Sequence, residues 1–324
     1  MSSVTWYNKE VKESFLASYP EGTANSYKRI FDHSYEKECE YGRDLADFTI
    51  PQIRELLSDL EPRTTESART SGSIISAYLN WAVEKGIRKE SSSNPLLTVS
   101  KDWFDEFVTI EPHKLYLTNK DLRVIEARLN NAQDLVVVRL LWEGCSGSKL
   151  SEITNLKKSD VKWDEKKLVL TDEKGNKRDL HVSDECLEYI DDAIKQKLYR
   201  KKNDQANLPK NLLPYNKLVQ NEYVVRSSLT HTVRENEPVD KYVIYRRIEL
   251  IRDLIGYDYL SVKNVQRSGM IYYAKCLMEQ NNMSRITNDL LSLVAERFKV
   301  NNIYRMKEYI NEDIIRQMYP DFGL

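Results

Sequence analysis

Seven basic side chains crowd one stretch of this chain: Lys195, Lys197, Arg200, Lys201, Lys202, Lys210 and Lys217, with Asp204 the single acid among them. Such a run is either a solvated loop or a path that tracks phosphates. Other reactive side chains are scattered. Cys39, Cys145, Cys186 and Cys276 form no CxxC pair, which predicts buried reduced thiols in place of a disulfide framework or metal site. No metal-ligand spacing and no cofactor motif occurs, so neither a metal nor a cofactor is expected. Lys and Arg total 49 against 50 Asp and Glu, for a net charge of −1. That balance excludes a uniformly basic nucleic-acid binder. Any such binding needs charge segregated onto one face.

The elements that would position these groups are mostly helical. Glycine (10) and proline (9) are scarce, which favours long helices over a turn-rich β fold. Thr23–Phe31 reads as a helix, as does the segment after Thr49, with Pro51 in its first turn and Ile53, Leu56, Leu57 and Leu60 on one face. A further helix runs from Thr65 to a stop at Gly86. Thr118 with Asp121 has capping-box spacing ahead of Leu122, Ile125 and Leu129. Leu135–Trp142 is a second apolar helix ending at Gly144, and another begins near Ser148. Lys167–Thr171 and Arg178–Val182 alternate around Glu173–Lys177 and predict a β-hairpin with a Gly-Asn turn. Helical spacing returns for Glu185–Leu198 and dominates after Val239. The fold class is mainly α with a small β-hairpin or sheet.

At 324 residues the chain holds two cores. The polar punctuation Ser91–Pro95 and the stretch after it divide the chain into a helical domain at 1–100, a linker at 101–112 and a mixed domain at 113–324. The N-terminus MSSVTWYNKEVKE has no apolar h-region and no stretch approaches eighteen apolar residues, so a cytoplasmic protein with no membrane partner is expected.

Four segments, in order, resemble the tyrosine recombinases (phage integrases). GCSGSKLSEITNL at 144–156 is similar to the family's TGxRxSELxxL, with the usual Asp at Asp160. EKGNKRDLHV resembles its β-hairpin, whose lysine falls on Lys174. NVQR at 264–267 matches the box written HxxR and puts the second arginine at Arg267. VAERFKVNNIYRMKEYI resembles the nucleophile segment, with Tyr304 or Tyr309 as the candidate tyrosine. The N-terminal helices are similar to the family's core-binding domain, so the resemblance spans nearly the whole chain. It implies two domains that clamp duplex DNA, two arginines on the scissile phosphate, a lysine and a histidine that move protons, and a tyrosine that attacks to form a 3′-phosphotyrosine. That chemistry rests on preorganised charge around a pentacoordinate phosphate.

This sequence departs from the pattern where the chemistry is most demanding. Lys149 replaces the first arginine, which keeps the charge and loses the bidentate fork. Asn264 replaces the histidine and cannot transfer a proton near neutral pH. The last histidine is His231 and the last tryptophan Trp163, so the family's second His/Trp position, near Ala295, is vacant.

The resemblance, thus decayed, implies a DNA clamp without catalysis. The chain is also similar to recombinase-like proteins that silence the lytic genes of SPβ-type Bacillus prophages. The expected function is therefore a sequence-specific repressor, nucleoid-associated, bound to operator sites in double-stranded DNA. A phage-encoded antirepressor or self-association would supply further partners. Candidate DNA contacts are Lys149, Lys174, Lys177, Arg200, Lys201, Lys202 and Arg267. Plainer readings stand beside these and the candidate tyrosines: solvated lysines for 149 and 174, a solvated loop for 200–202, a structural ion pair for Arg267, helix packing for Tyr304 and Tyr309. Three other readings stand beside the repressor. One is an active or accessory recombinase, one a protein-binding scaffold, and one a helix-turn-helix at Leu293–Met306.

Overall fold

A computed structural model describes residues 6–108, 111–204, 213–229 and 236–323. The described residues fall into two compact units, Met1–Ile110 and Glu111–Leu324. The first is built from α1 (Lys9–Leu16), α2 (Glu21–Tyr41), α3 (Ile50–Asp59) and α4 (Thr65–Glu84). α2 runs ten residues past the expected Phe31 and stops where Gly42 turns left-handed. Thr49 caps α3 with the reciprocal Thr49 N–H to Gln52 Oε1 bond at 3.0 Å. Phe15, Phe31, Phe48 and Tyr78 fill the core. The segment expected as linker instead belongs to this unit: residues 101–107 form a 3-10 helix whose Trp103 and Phe107 join that core. Phe104 lies so close to α4 that a Cβ on Gly72 would meet it at 2.2 Å. The apolar spacing of Trp103, Phe104 and Phe107 anchors the segment. Residues 109–110 lie outside the described set.

In the second unit α5 (Pro112–Leu115) and α6 (Asn119–Ala127) precede α7 (Ala132–Glu143). The expected capping box of α6 is present, with Thr118 N–H on Asp121 Oδ2 at 2.8 Å and Asp121 N–H on Thr118 Oγ1 at 3.1 Å. α7 is buried on all sides from Val136 to Trp142 and forms the centre of the unit. It packs against α9 (Asp184–Lys195), α10 (Lys241–Ile255) and α11 (Val262–Gln280). A left-handed turn follows α7, then the one-turn α8 (Ser151–Thr154), which starts three residues after the expected Ser148.

The strands β1 (Val161–Lys162), β2 (Lys167–Thr171) and β3 (Lys177–His181) make an antiparallel sheet in that order, with Leu170 opposite Arg178 and Thr171 opposite Lys177. The hairpin thus forms as its alternation predicts, one residue earlier on the second strand. α9 ends short of the expected Leu198. The fully buried Arg226 donates to the carbonyls of Ala193 and Gln196, both at 2.6 Å, and so closes the helix end. Leu198 goes instead into β4 (Leu198–Arg200), paired with β5 (Tyr215–Lys217). The chain finishes with α12 (Asn288–Phe298), α13 (Ile303–Met306) and α14 (Glu312–Met318). α13 is a single turn, too short to lie along a groove as a recognition helix does, which removes the helix-turn-helix reading.

Candidate functional site

α7 stops at Gly144 because its φ of +112° ends the helical hydrogen bonding. The loop beyond it is strained: Gly147, Lys149 and Leu150 all have positive φ, at 77°, 56° and 61°. Two consecutive non-glycine residues in that region cost about 1–3 kcal/mol each. Glu152 holds the conformation by accepting from Ser146 N–H at 2.8 Å, while Leu150 is buried beneath. The result projects Lys149 outward, with a side chain 63% exposed.

The hairpin turn is fixed just as locally. Asp172 accepts from the backbone N–H of Lys174 at 2.8 Å and of Asn176 at 2.9 Å, and Gly175 supplies the positive φ. The Asn176 amide bond holds the Asp172 carboxyl below its ordinary value. Lys174 is therefore pinned by its backbone while its side chain stays exposed. Glu173 beside it pairs with Lys149, and that hydrogen bond lowers the Glu173 carboxyl and raises the Lys149 amine.

An open cleft of 980 Å³ lies between the 146–148 loop, the hairpin turn at 172–176, Gln266 and Met270 of α11, and residues 298–301. Lys174 and Lys299 stand on its wall, and Lys149 borders a second groove of 450 Å³ that shares Ser146, Gly147 and Gln266 with it. The second groove runs on to Tyr245 and Arg252 of α10 and Lys263 of α11. The sequence places Lys149 and Lys174 as candidates, and the fold brings them to this one trough.

It does not bring the other candidates there. Arg267 is 7% exposed and lies 4.3 Å over the ring of Tyr309, itself 6% exposed. Tyr309 donates its hydroxyl hydrogen to Met270 Sδ at 3.3 Å, behind the cleft wall. Asn264 turns its amide to the Tyr259 carbonyl at 2.8 Å. Tyr304 is 72% exposed on α13, and Ala295 is buried in α12. Lys177 is exposed at the start of β3. Arg200, Lys201 and Lys202 belong to a different surface, where Asn203 docks their turn onto Arg128–Asn131 and Arg200 pairs with Asp204 at 2.6 Å. Lys210 lies outside the described residues.

Sequence reasoning missed the group beneath the trough. Arg178 donates through Nε to Glu152 Oε1 at 2.6 Å and through Nη2 to Glu152 Oε2 at 2.7 Å. It also reaches the carbonyls of Arg297 and Gly144, both at 2.9 Å. Arg297 in turn pairs with Glu143 at 2.8 Å and lies over Tyr273. A signal existed, since Arg178 is in phase with the inward Leu180 on β3. Burial raises the thiols of Cys145 and Cys186, which keeps them protonated as neutral core residues. Among the described residues no helix is long and apolar enough to cross a membrane, and no group of three or more His, Cys, Asp or Glu is placed to hold a metal.

Residues 6–84 match the family model "MrpR, N-terminal core-binding domain", and residues 116–320 match "MrpR, C-terminal catalytic domain". The chain belongs to the MrpR family. A relative is YopR, an SPβ prophage-derived protein of Bacillus subtilis (strain 168), 31% identical over 324 residues and 97% of each chain. Among solved structures, this MrpR-family chain is similar to lambda integrase (residues 75–356), solved as a dimer bound to a COC′ core site. The TM-score is 0.52 and the identity 13%, over 95% of this chain and 96% of that one. It is also similar to a variant of the Tn1549 transposon integrase (residues 82–397) solved with circular intermediate DNA. There the TM-score is 0.52 and the identity 10%, over 98% of this chain and 100% of that one. At such identities the likeness is one of fold. The fold is that of the tyrosine recombinases, mainly helical with small sheets.

Proposed function

We propose that this chain is a sequence-specific, double-stranded-DNA-binding repressor that keeps prophage lytic genes silent, built on a recombinase fold that no longer cleaves DNA. One observation carries the reading. Arg267, which strand transfer would need facing a phosphate, is buried 4.3 Å over the ring of Tyr309, one of the two candidate nucleophiles, while Lys149, Lys174 and Lys299 stand exposed along the trough. Cleavage needs an oriented clamp and a free nucleophile. Backbone binding needs only fixed positive charge. The prophage origin in the name of YopR supports the regulatory setting. The contacts proposed along the trough are Lys149 and Lys174, with Lys177 beside them. Arg200, Lys201 and Lys202 would form a separate patch.

Mapping of bound sites across the genome of cells expressing the full chain tests this. Repeated short sites near promoters are expected; a single attachment site would overturn it. The second reading, an active or accessory recombinase, is favoured by the exposure of Tyr304 just beyond the 298–301 edge of the cleft. A nicked suicide duplex run on a denaturing gel separates the two. No covalent adduct is expected, and an adduct abolished by Tyr304→Phe or Tyr309→Phe would establish the enzyme.

A further inference from the structure

Three separate segments each present one lysine to the trough: the 144–150 loop carries Lys149, the hairpin Lys174, and the end of α12 Lys299. Nothing in local chain geometry fixes the spacing between them. One guanidinium does touch all three. Arg178 belongs to the hairpin, is shielded from solvent at 13% side-chain exposure, and donates to Gly144 O and Glu152 in the loop region and to Arg297 O at the end of α12. Glu152 passes the restraint on, because its Oε2 also accepts from Ser146 N–H. Ser146 closes the ring by donating its hydroxyl to Phe298 O at 3.2 Å.

We infer that Arg178 is the positioning residue of the DNA interface, setting the spacing of Lys149, Lys174 and Lys299 without touching DNA itself; this rests on the interface proposed above. A planar fork suits the task. One edge, Nε and Nη2, holds a carboxylate bidentately, and the remaining N–H groups reach carbonyls on two other elements. Lysine at the same place would supply equal charge and none of the geometry. Phosphates recur along a duplex at a fixed interval, so lysines on three independently moving segments would not engage them together.

The test uses the full chain and a duplex selected by the wild-type protein from a random-sequence library. Arg178→Gln should weaken binding at least tenfold, and Arg178→Lys should fail to restore it although the charge is kept. Lys149→Ala should weaken binding several-fold in the wild-type background and less than twofold in the Arg178→Gln background, since a lysine already out of place has little left to lose. Glu152→Gln, which keeps the shape and removes the charge, should show the same non-additivity in milder form. Full rescue by Arg178→Lys, or strict additivity with Lys149→Ala, would overturn the inference. So would loss of cooperative melting in both Arg178→Gln and Glu152→Gln, which would make the network a support of the fold alone. If instead Lys149→Ala, Lys174→Ala and Lys299→Ala all bind like wild type, it is the interface reading itself that falls.

Discussion

Lys12 in the first unit and the lysines of the trough in the second are used in opposite ways. In the first, Lys12 on α1 has no exposed surface. Its amine donates to Glu38 Oε1 at 2.6 Å, Asp44 Oδ2 at 3.2 Å and the Tyr7 carbonyl at 2.6 Å, and lies over the rings of Phe31 and Tyr78. In the second, Lys149 has a single exposed carboxylate partner, and Lys174 is held by its backbone only. A charge buried with its counter-ions specifies which helices meet. A charge held at the end of a strained loop above a buried network is free to exchange its partner. The two sites therefore separate charge that serves the fold from charge that serves a surface, and a short series of substitutions sharpens or breaks that division.

Lys12→Met has the largest expected effect. It leaves Glu38 and Asp44 buried without a cation, which costs on the order of 3–5 kcal/mol, read from urea unfolding. Burial already holds the Glu38 carboxyl above its ordinary value. A raised carboxylate contributes stability that is present below the unfolded value and is lost as pH rises through the folded one. The variant should accordingly recover melting temperature as the buffer is taken from about pH 7 to about pH 5, more than wild type does. A variant as stable as wild type at neutral pH would show that the buried ions are dispensable.

Arg267→Ala comes next, because it removes a desolvated cation–π contact worth ~2 kcal/mol. Unfolding midpoints should fall in the second unit. A loss of DNA affinity with unchanged unfolding would instead make Arg267 a phosphate contact and would break the division. Lys149→Ala and Lys174→Ala should leave melting unchanged and weaken duplex binding several-fold. The slope of log affinity against log salt should drop by roughly 0.9 for each lost phosphate contact. Glu173→Gln is the smallest. It frees Lys149 from its carboxylate, so melting should stay as it is and affinity at low salt should rise slightly. A weaker complex would mean that the pair, and not the lysine, is what DNA meets.

Much of the fold is legible in the residues, and the misses have physical causes. Alternation on both sides of a Gly-Asn turn gives the hairpin, and caps at Thr49 and Thr118 give helix starts, because those signals are local. Lys149 and Lys174 come from motif order. What spacing cannot supply is tertiary interception: α9 stops early because Arg226, thirty residues after Gln196, captures its last carbonyls. Trp103 and Phe107 lie in a stretch that reads as linker, because only burial against α4 tells an anchored segment from a tether. Arg178 escapes notice for a related reason. A charged residue on the inward phase of a strand makes sense only once Glu152 and two carbonyls from elsewhere in the chain are known to meet it.

Where α11 crosses α7, Gly269 lies so close to its neighbour that an added methyl carbon would sit 2.1 Å from the carbonyl oxygen of Trp142. Backbone cannot yield there as a flexible side chain would, and the two positions before it are the buried Arg267 and Ser268. For the repressor proposed above, this crossing would be a hereditary weak point. A screen for heat-inducible alleles, in which silencing holds in the cold and fails on warming, should keep returning to codon 269, where the smallest possible change already forces two helices apart.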